Sequence, residues 1–348
     1  MKVLILARLT AASGNNSTAC RIREHLLSGG FEVSAVCVSY FQKYHELAAY
    51  VSSNAIDFII GIHAFRAGKL LCDCKVPYAI IFGGTDLNEH HKDKEKLFFM
   101  SKAVSKARKC VAFNNAMKQK AISFWEEAKD KVIVQPQAVE VHVSDQTYHI
   151  GANLSDWEKE VILNNNAIIF LLVASLRPVK DPFYLVETIA AWHKADNRIH
   201  LVVVGPEIDI RYSKEFKDSV TNTPGIICID RQSPANLQSL ITRAFALVNT
   251  SKSEGMAGAI LEAMSLRVLV LARWNDGNAS VIEHRKTGLL FTKPEEFRSL
   301  AEEALSDESL RCKLIDNAKK YICDQHSFEK ERAVYCELVQ SLAENEAK

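Results

Sequence analysis

Two glutamates in the second half of the chain, Glu254 and Glu262, have the residue type and spacing to bind a ligand rich in hydroxyl groups. The residues between them, GMAGAIL, are typical of a helix, and a run that is typical of a strand precedes them. At the helical rise of about 1.5 Å per residue, eight residues separate the two carboxylates by roughly 12 Å. This is the scale between the sugar ring and the ribose of a nucleotide-sugar. Glu254 could therefore accept hydrogen bonds from sugar hydroxyls while Glu262 binds the ribose diol.

The residues at the predicted start of this helix, Gly255, Met256 and Ala257, could bind a diphosphate between the two sugars. A helix N-terminus offers unsatisfied N–H groups and the positive end of the helix dipole. A plainer interpretation is that Glu254 only favours the helix start and that Glu262 lies on an exposed face. This plainer interpretation is less favoured, because apolar residues flank Glu262 and an unpaired carboxylate among apolar residues is costly. The segment therefore predicts a site for a whole nucleotide-sugar.

The loop after the first predicted strand, LTAASGNNSTACR, is a second candidate for ligand binding. Gly14 would let the backbone approach a ligand, and Asn15 leads into a helix whose amides would face it. A polar loop that only caps the helix through Asn16 or Ser17 explains the same residues. Because the loop lacks the GxGxxG pattern, it gives little support to a nicotinamide dehydrogenase.

The sequence does not favour a metal centre or a bound cofactor. It contains no Asp-x-Asp pair and no Cys-x-x-Cys pair. The cluster Glu89-His90-His91 is interpreted as the exposed start of a helix, because the charged run KDK follows it at residues 92–94. We therefore expect neither a metal nor a cofactor, with the nucleoside-diphosphate-sugar acting as a substrate.

The composition limits the partners and the compartment. The 348 residues include 43 Lys and Arg against 42 Asp and Glu, and a net charge of +1 argues against nucleic acid as the partner. The longest apolar run, residues 167–176, is half the roughly 20 residues that a bilayer crossing needs. Arg8 interrupts the N-terminal apolar run too early for a signal peptide, and nine cysteines without a pairing pattern suit a reducing compartment. We expect a cytoplasmic protein without a transmembrane segment.

Apolar runs alternate with helical patterns in both halves, which predicts parallel sheets built from βαβ units. Strands are predicted at residues 3–7, 32–38, 56–60, 78–82, 110–113 and 132–134, and then at 168–173, 200–204, 226–229, 246–248 and 268–272. In the polar stretch 135–166, apolar runs and helical patterns no longer alternate, so this stretch is predicted to be a linker. The fold class is therefore α/β, with two Rossmann-like, doubly wound domains that face a central cleft. They span residues 1–150 and 165–325, and a C-terminal helix at 326–348 packs back on the domains.

The segment EGMAGAILEAM, residues 254–264, resembles the Glu-x7-Glu motif of retaining glycosyltransferases with the GT-B fold, of the group 1, or family-4, type. Further second-half segments resemble family elements in the expected order: LLVASLRPVKDP at 171–182, VVVGPEID at 202–209, GNAS at 277–280 and TGLLF at 287–291. The resemblance thus covers nearly the whole second half. It implies an N-terminal domain on the acceptor side and a second domain that binds the donor.

The resemblance also implies roles for single residues. Glu254 would hold the transferred sugar, Glu262 the ribose, and Lys180 matches a lysine that neutralises the donor diphosphate. The family's arginine five residues before that lysine is Ser175 here, so Arg177 would supply its charge.

Other matching positions complete the expected site. Gly205 lies in a strand-end turn, and Gly277 and Asn278 lie in the glycine loop, where they would line the donor. In the first half, Gly83 replaces a histidine that begins an HGTD-like element in many relatives. His63, at the predicted strand end GIHAF, is then the best polar candidate on that side.

The leading hypothesis is transfer of a sugar from a nucleoside-diphosphate donor, with retention at the anomeric carbon. Lys180 and Arg177 would stabilise the leaving diphosphate, which could itself take the proton of the incoming hydroxyl. The changes at Ser175, at Gly83 and in the turn Leu266–Leu269 favour an alternative, a catalytically weak nucleotide-sugar-binding scaffold or sensor. An epimerase would need an acid–base pair that the sequence does not identify. The donor base and sugar, the acceptor and the oligomeric state stay open.

Overall fold

A computed structural model describes residues 1–9, 14–141 and 155–344 of the chain. Within these residues, the apolar runs form two six-stranded parallel sheets flanked by helices. The structure thus confirms the predicted α/β class. The chain divides into two compact units: unit 1 comprises Met1–Ala138 and His326–Lys348, and unit 2 comprises Val139–Gln325.

Unit 1 holds the first sheet, in the order β2-β1-β3-β4-β5-β6. Its strands are β1 (Lys2–Ala7), β2 (Glu32–Cys37), β3 (Phe58–Ile62), β4 (Tyr78–Ile81), β5 (Lys109–Ala112) and β6 (Val132–Val134). Its helices are α1 (Gly14–Ser28), α2 (Tyr44–Ser53), α3 (Gly68–Leu71), α4 (Gly84–Asn88), α5 (Lys94–Lys106), α6 (Asn115–Phe124) and, from the end of the chain, α15 (Phe328–Glu344). Short 3-10 helices lie at Val38–Tyr40, His90–Lys92 and Glu126–Ala128.

Unit 2 holds the second sheet, in the order β12-β11-β10-β7-β8-β9. Its strands are β7 (Ile168–Val173), β8 (Ile199–Val204), β9 (Ile226–Ile229), β10 (Ala246–Asn249), β11 (Leu269–Arg273) and β12 (Leu289–Phe291). Its helices are α7 (Asp156–Leu163), α8 (Val186–Ala195), α9 (Ile210–Val220), α10 (Pro234–Arg243), α11 (Gly258–Ser265), α12 (Asp276–Ala279), α13 (Pro294–Ser306) and α14 (Glu308–Gln325), with a 3-10 turn at Pro182–Leu185.

Helices on both faces explain why the strands are apolar throughout. All six residues of β8 are buried, and alternate residues enter two different cores. Val202 and Val204 pack into one core, whereas Leu201 and Val203 pack into the other. Successive strand side chains point to opposite faces, so a sheet buried on both faces needs an unbroken apolar run.

The structure confirms the predicted strands, whose ends shift by at most two residues, and adds features that the sequence analysis missed. Strand β12 was not predicted, and helix α7 lies within the predicted linker, where Ile162 is buried in the core of unit 2. Part of that linker, residues 142–154, lies outside the described residues. Among the helices that the structure describes, none has both the length and the apolar character to cross a membrane.

The C-terminal helix α15 is tied to α1 by a buried ionic cluster within unit 1. The carboxylate of Glu331, which has no exposed surface, accepts hydrogen bonds from Arg21 Nε at 2.7 Å and Arg21 Nη2 at 3.2 Å. His25 Nε2 lies 2.8 Å from the same carboxylate. Burial by itself raises the pKa of Glu331, but the hydrogen bond with His25 and the charge of Arg21 outweigh it and hold the pKa below its ordinary value.

Replacement of this carboxylate should loosen the attachment of α15. Glu331→Gln leaves the Arg21 guanidinium without a counter-charge, and breaking a buried ion pair costs about 3–5 kcal/mol. We expect the free energy of unfolding at pH 7, measured in urea, to fall by an amount of this order. The wild-type protein should also lose stability as the pH falls below 4.5 and through the lowered pKa of Glu331, because protonation removes the charge that Arg21 pairs with.

Glu329→Gln is the matched control, because Glu329 lies on the same helical turn and its carboxylate contacts Ser327 at the exposed surface. Equal stability losses in the two variants would contradict a specific role for Glu331.

Candidate active site

The polar residues of unit 2 gather where its parallel strands end. The loops after β7, β10 and β11 carry Lys180, Glu254 and Asn278 respectively, and Gly205 follows β8. The carboxyl ends of parallel strands lie at one edge of the sheet, where ligands of open α/β sheets bind. The structure therefore brings these predicted residues to one edge.

Glu254 lies at the centre of this edge with its side chain 9% exposed, and donors from two loops hold its carboxylate. Its Oε1 atom accepts hydrogen bonds from Lys180 Nζ at 2.5 Å, Ser251 Oγ at 2.6 Å and Asn249 Nδ2 at 3.3 Å. Burial alone would raise the pKa of Glu254, but the Lys180 ammonium and these hydrogen bonds hold the pKa below its ordinary value. The residue is therefore a carboxylate at neutral pH, paired with a cation that comes from another loop.

Two hydrogen bonds to backbone carbonyls hold the Lys180 loop against the loop after β10. Thr250 Oγ1 donates to the carbonyl of Lys180 at 2.8 Å, and the Lys252 amide donates to the carbonyl of Val179 at 2.9 Å. These contacts hold the backbone on both sides of the ion pair. The Lys180 ammonium and the Glu254 carboxylate therefore have a defined separation before a ligand arrives.

The glycine loop supports Glu254 from the β11 side. A Cβ atom on Gly277 would lie 2.3 Å from the carbonyl oxygen of Glu254, so only glycine permits this approach. Asn278 Nδ2 donates to Asn249 Oδ1 at 3.1 Å and to the Arg273 carbonyl at 2.8 Å, and Asn275 Nδ2 donates to the Ser251 carbonyl at 3.0 Å. Gly277 and Asn278 therefore position the Glu254 loop.

Gly205 allows a second close approach, between the ends of β7 and β8. A Cβ atom at this position would lie 2.1 Å from the carbonyl oxygen of Ala174. Ser175 and Arg177 follow directly on the same segment. Gly205 thus sets how closely that segment passes the end of β8.

Arg177 is half-buried next to these strand ends, and no described residue neutralises its charge. Its Nε atom is buried and makes no hydrogen bond, and among the described residues no carboxylate forms an ion pair with it. Leu176 forms an isolated parallel bridge with Glu207 and is buried, so extended backbone carries Ser175 and Arg177 on either side of it. A partly buried guanidinium without a partner indicates an anionic ligand.

Glu262, on α11, has a largely buried carboxyl group. Within the part of the chain that the structure describes, no hydrogen bond or ion pair to its side chain is found, and burial raises its pKa to about 7. The sequence analysis expected a partner to be supplied to this residue, and no described side chain supplies one. Ribose hydroxyls have the donor chemistry that the carboxylate lacks.

The start of α11 corrects one detail of the predicted site. The helix begins at Gly258, with Ala257 as its N-cap residue, so Gly255 and Met256 precede the helix instead of forming its first turn. The helical rise consequently does not apply over the whole distance from Glu254 to Glu262. The backbone is extended at Ala257, and the helical conformation starts only after it.

Sequence reasoning missed a second charged group at the same edge. Arg273, the last residue of β11, donates to Asp181 Oδ2 at 2.9 Å, and its guanidinium lies 3.8 Å from the ring centre of Tyr184. Lys252 Nζ lies 3.6 Å from the same Asp181 carboxylate. The signal available in the sequence was an arginine at a strand end, where an apolar run is followed by Trp274 and by the polar residues Asn275 and Asp276.

The candidate residues of unit 1 lie in two places. Gly14 and Asn15 form the first turn of α1, and a Cβ atom on Gly14 would meet nothing within 4 Å. Residues 10–13 of the same predicted loop lie outside the described residues. His63 follows β3 with φ at 83°, in the left-handed region, and its Nδ1 atom lies 2.5 Å from Asp86 Oδ1.

The cluster Glu89-His90-His91 is not the fully exposed helix start that the sequence analysis expected. His90 begins a 3-10 helix, and only 15% of its side chain is exposed. The difference arises because the His90 ring packs against His63 and Phe65, which come from the end of β3.

Comparison with known proteins defines the class to which this fold and site belong. The chain matches two solved GT-B glycosyltransferase structures. Alr3699/HepE of Anabaena, solved in complex with UDP-glucose, has a TM-score of 0.80 with 15% identity over 98% of this chain and 100% of that chain. Sucrose-phosphate synthase of Thermosynechococcus elongatus has a TM-score of 0.78 with 14% identity over 99% and 100%. The fold is therefore GT-B, as predicted.

The family follows from the sequence matches. The family model described as glycosyl transferases group 1 matches residues 155–321. Glycosyltransferase 1 domain-containing protein 1 of Xenopus tropicalis is 36% identical over 353 residues, which cover 99% of each chain. The chain belongs to the glycosyl transferases group 1 family.

The raised pKa of Glu262 predicts a measurable dependence of stability on pH. The folded protein binds a proton at this residue up to about pH 7, whereas the unfolded chain releases it near 4.5. The free energy of unfolding should therefore fall as the pH rises from 4.5 to 7, by at most about 3 kcal/mol. Glu262→Gln should abolish this loss, and urea unfolding at pH 5 and pH 8 measures it.

Glu283→Gln serves as the control, because Glu283 is exposed and pairs with Lys286. An equal pH dependence in the wild-type protein and in Glu262→Gln would show that Glu262 is not buried as an unpaired carboxyl group.

Proposed function

We propose that this chain is a retaining glycosyltransferase of the family-4 type that moves a hexose from a nucleoside-diphosphate-sugar to an acceptor hydroxyl. The proposal is carried by four residues of unit 2: the paired Glu254 and Lys180, and Arg177 and Glu262, to which the described residues supply no partner. These groups supply the recognition that a sugar, a diphosphate and a ribose require. The complex of the structurally similar HepE with UDP-glucose supports a nucleotide-sugar as the donor.

The charges account for donor binding without a bound metal or cofactor. Lys180 is neutralised by Glu254, whereas Arg177 has no carboxylate partner among the described residues. A diphosphate would bring the negative charge that Arg177 lacks and would share Lys180 with Glu254. Gly205, Gly255, Met256 and Ala257, together with the Gly277 and Asn278 loop, would line the donor, and Gly14, Asn15 and His63 belong to the proposed acceptor-side domain.

In the proposed reaction, the protein accelerates the transfer mainly by stabilising the leaving diphosphate. The bond between the anomeric carbon and the phosphate oxygen breaks, and the acceptor oxygen bonds to the same face of that carbon. The proton of the acceptor hydroxyl passes to the departing phosphate oxygen. Lys180 and Arg177 stabilise the charge that develops on this leaving group, while Glu254 holds the sugar hydroxyls in position.

Incubation of the full chain with a panel of labelled nucleotide-sugars tests this activity. We expect slow donor hydrolysis, or transfer when an acceptor alcohol is present, and NMR should show that the anomeric configuration is retained. Glu254→Gln should lower the rate while nucleoside-diphosphate affinity persists, since Lys180 stays available to the phosphate. Inverted product would contradict retention, an epimerised sugar would indicate an epimerase, and binding without turnover would indicate a scaffold or sensor.

The two proposed phosphate cations can be separated by a double-mutant cycle. Arg177→Ala and Lys180→Ala should each weaken binding of the nucleoside diphosphate, measured by calorimetry, and should leave binding of the free nucleoside nearly unchanged. Because both charges would act on one diphosphate, their effects should deviate from additivity by about 0.5–3 kcal/mol. Lys252→Ala is the matched control, because this exposed lysine lies beside the site and pairs with Asp181.

Wild-type affinity in Arg177→Ala would remove Arg177 from the site. Equal losses for nucleoside and nucleoside diphosphate would show that the variants disturb the fold and not a phosphate contact.

A further inference from the structure

Three potential metal ligands meet in unit 1, at the carboxyl edge of its sheet. His63 follows β3, Asp86 lies in α4 just after β4, and His90 begins the 3-10 helix that follows. One ligand atom from each residue lies within 4.8 Å of the other two. The group is assembled from three separate segments and plays no part in the proposed donor site of unit 2.

Both imidazoles present Nδ1 to a single carboxylate oxygen. His63 Nδ1 lies 2.5 Å from Asp86 Oδ1, and His90 Nδ1 lies 3.8 Å from it. Both nitrogens are buried; His63 Nδ1 pairs with Asp86, whereas His90 Nδ1 makes no hydrogen bond to any residue in the described ranges. The His63 side chain is 4% exposed. Two buried imidazole nitrogens face one carboxylate oxygen, and one of them has no hydrogen bond among the described residues. A shared cation would satisfy this arrangement.

The backbone holds the carboxylate in the orientation that a ligand needs. Asp86 Oδ2 accepts from the amides of Ala64 at 2.6 Å and Gly83 at 2.9 Å, and Oδ1 accepts from the amide of Phe65 at 3.1 Å. Burial raises the pKa of Asp86, but His63 and these amides outweigh it and keep the pKa below its ordinary value. Outer hydrogen bonds of this kind orient metal-binding carboxylates.

We propose that His63, Asp86 and His90 bind one divalent transition-metal ion of the Zn²⁺ class, with the fourth position left to water. Bonds of about 2.1 Å place tetrahedral ligands roughly 3.4 Å apart. From the present separations, His63 Nδ1 would recede by about 0.9 Å and His90 Nδ1 would approach by about 0.4 Å. Two nitrogens and one carboxylate oxygen suit Zn²⁺, Co²⁺ or Ni²⁺ better than Mg²⁺ or Ca²⁺, which prefer oxygen ligands.

The ion would also stabilise a strained turn. His63 has φ at 83°, a conformation that non-glycine residues rarely adopt, and a metal bond would hold it there. A Cβ atom on Gly83 would lie 2.9 Å from His63 Cδ2, so the glycine leaves the space that the imidazole occupies. This inference does not depend on the proposed sugar transfer.

Binding of Zn²⁺ and Co²⁺ to the chelator-stripped full chain tests the proposal. We expect one tight ion per chain by calorimetry, a raised Tm on addition of Zn²⁺, and a Co²⁺ visible spectrum without the intense charge-transfer band that cysteine thiolates produce. His90→Gln should weaken Zn²⁺ binding more than about 100-fold, beyond the 10–100-fold typical of outer-shell losses. The metal-free Tm of this variant shows whether it still folds.

His91→Gln is the matched control, because His91 is the next residue and its ring stacks on Phe124, 4.7 Å away, instead of facing Asp86. It should retain the wild-type affinity and spectrum. Unchanged binding in His90→Gln, an equal loss in His91→Gln, a thiolate band, or no tight ion in the wild-type protein would each overturn the proposal, the last leaving a bare histidine–aspartate pair.

Discussion

The ion pair between Lys180 and Glu254 is the interaction on which the candidate site in unit 2 depends. A buried carboxylate is costly without a partner, so the loops after β7 and β10 approach each other until Nζ and Oε1 are 2.5 Å apart. Hydrogen bonds from Thr250 and Lys252 then fix the two backbones. The cation and the carboxylate are thus arranged before any donor binds, which reduces the reorganisation that binding requires.

Close backbone approach is the second constraint on this edge, and two glycines supply it. Gly277 touches the carbonyl of Glu254, and Gly205 touches the carbonyl of Ala174. A side chain at either position would push a strand-end loop away from its neighbour. The glycines therefore serve the site through packing, since they bring the loops that carry Glu254 and Arg177 to their observed positions.

The charged groups of this protein differ in whether they have hydrogen-bond and ion-pair partners. The Glu331 carboxylate contacts both Arg21 and His25 and so joins α15 to α1. Glu262 has no partner in the described ranges, and its pKa rises to about 7 as a result of burial. A fully satisfied buried charge stabilises one arrangement of the chain, whereas an unsatisfied one costs stability that a ligand can restore. This contrast separates the structural carboxylate from the ligand-binding candidate.

The sequence by itself determined the sheets, because a strand buried on both faces must be an apolar run, and it determined the family through the segment around Glu254 and Glu262. It did not determine that Lys180 contacts Glu254, 74 residues away, that Arg273 reaches Asp181, or that His90 turns towards Asp86. It also missed α7, since polar residues around that helix surround its buried core residue, Ile162. Local periodicity records which residues of one element are buried. Contacts between distant loops depend on strand order and on how closely the backbones approach, and only the tertiary structure decides these.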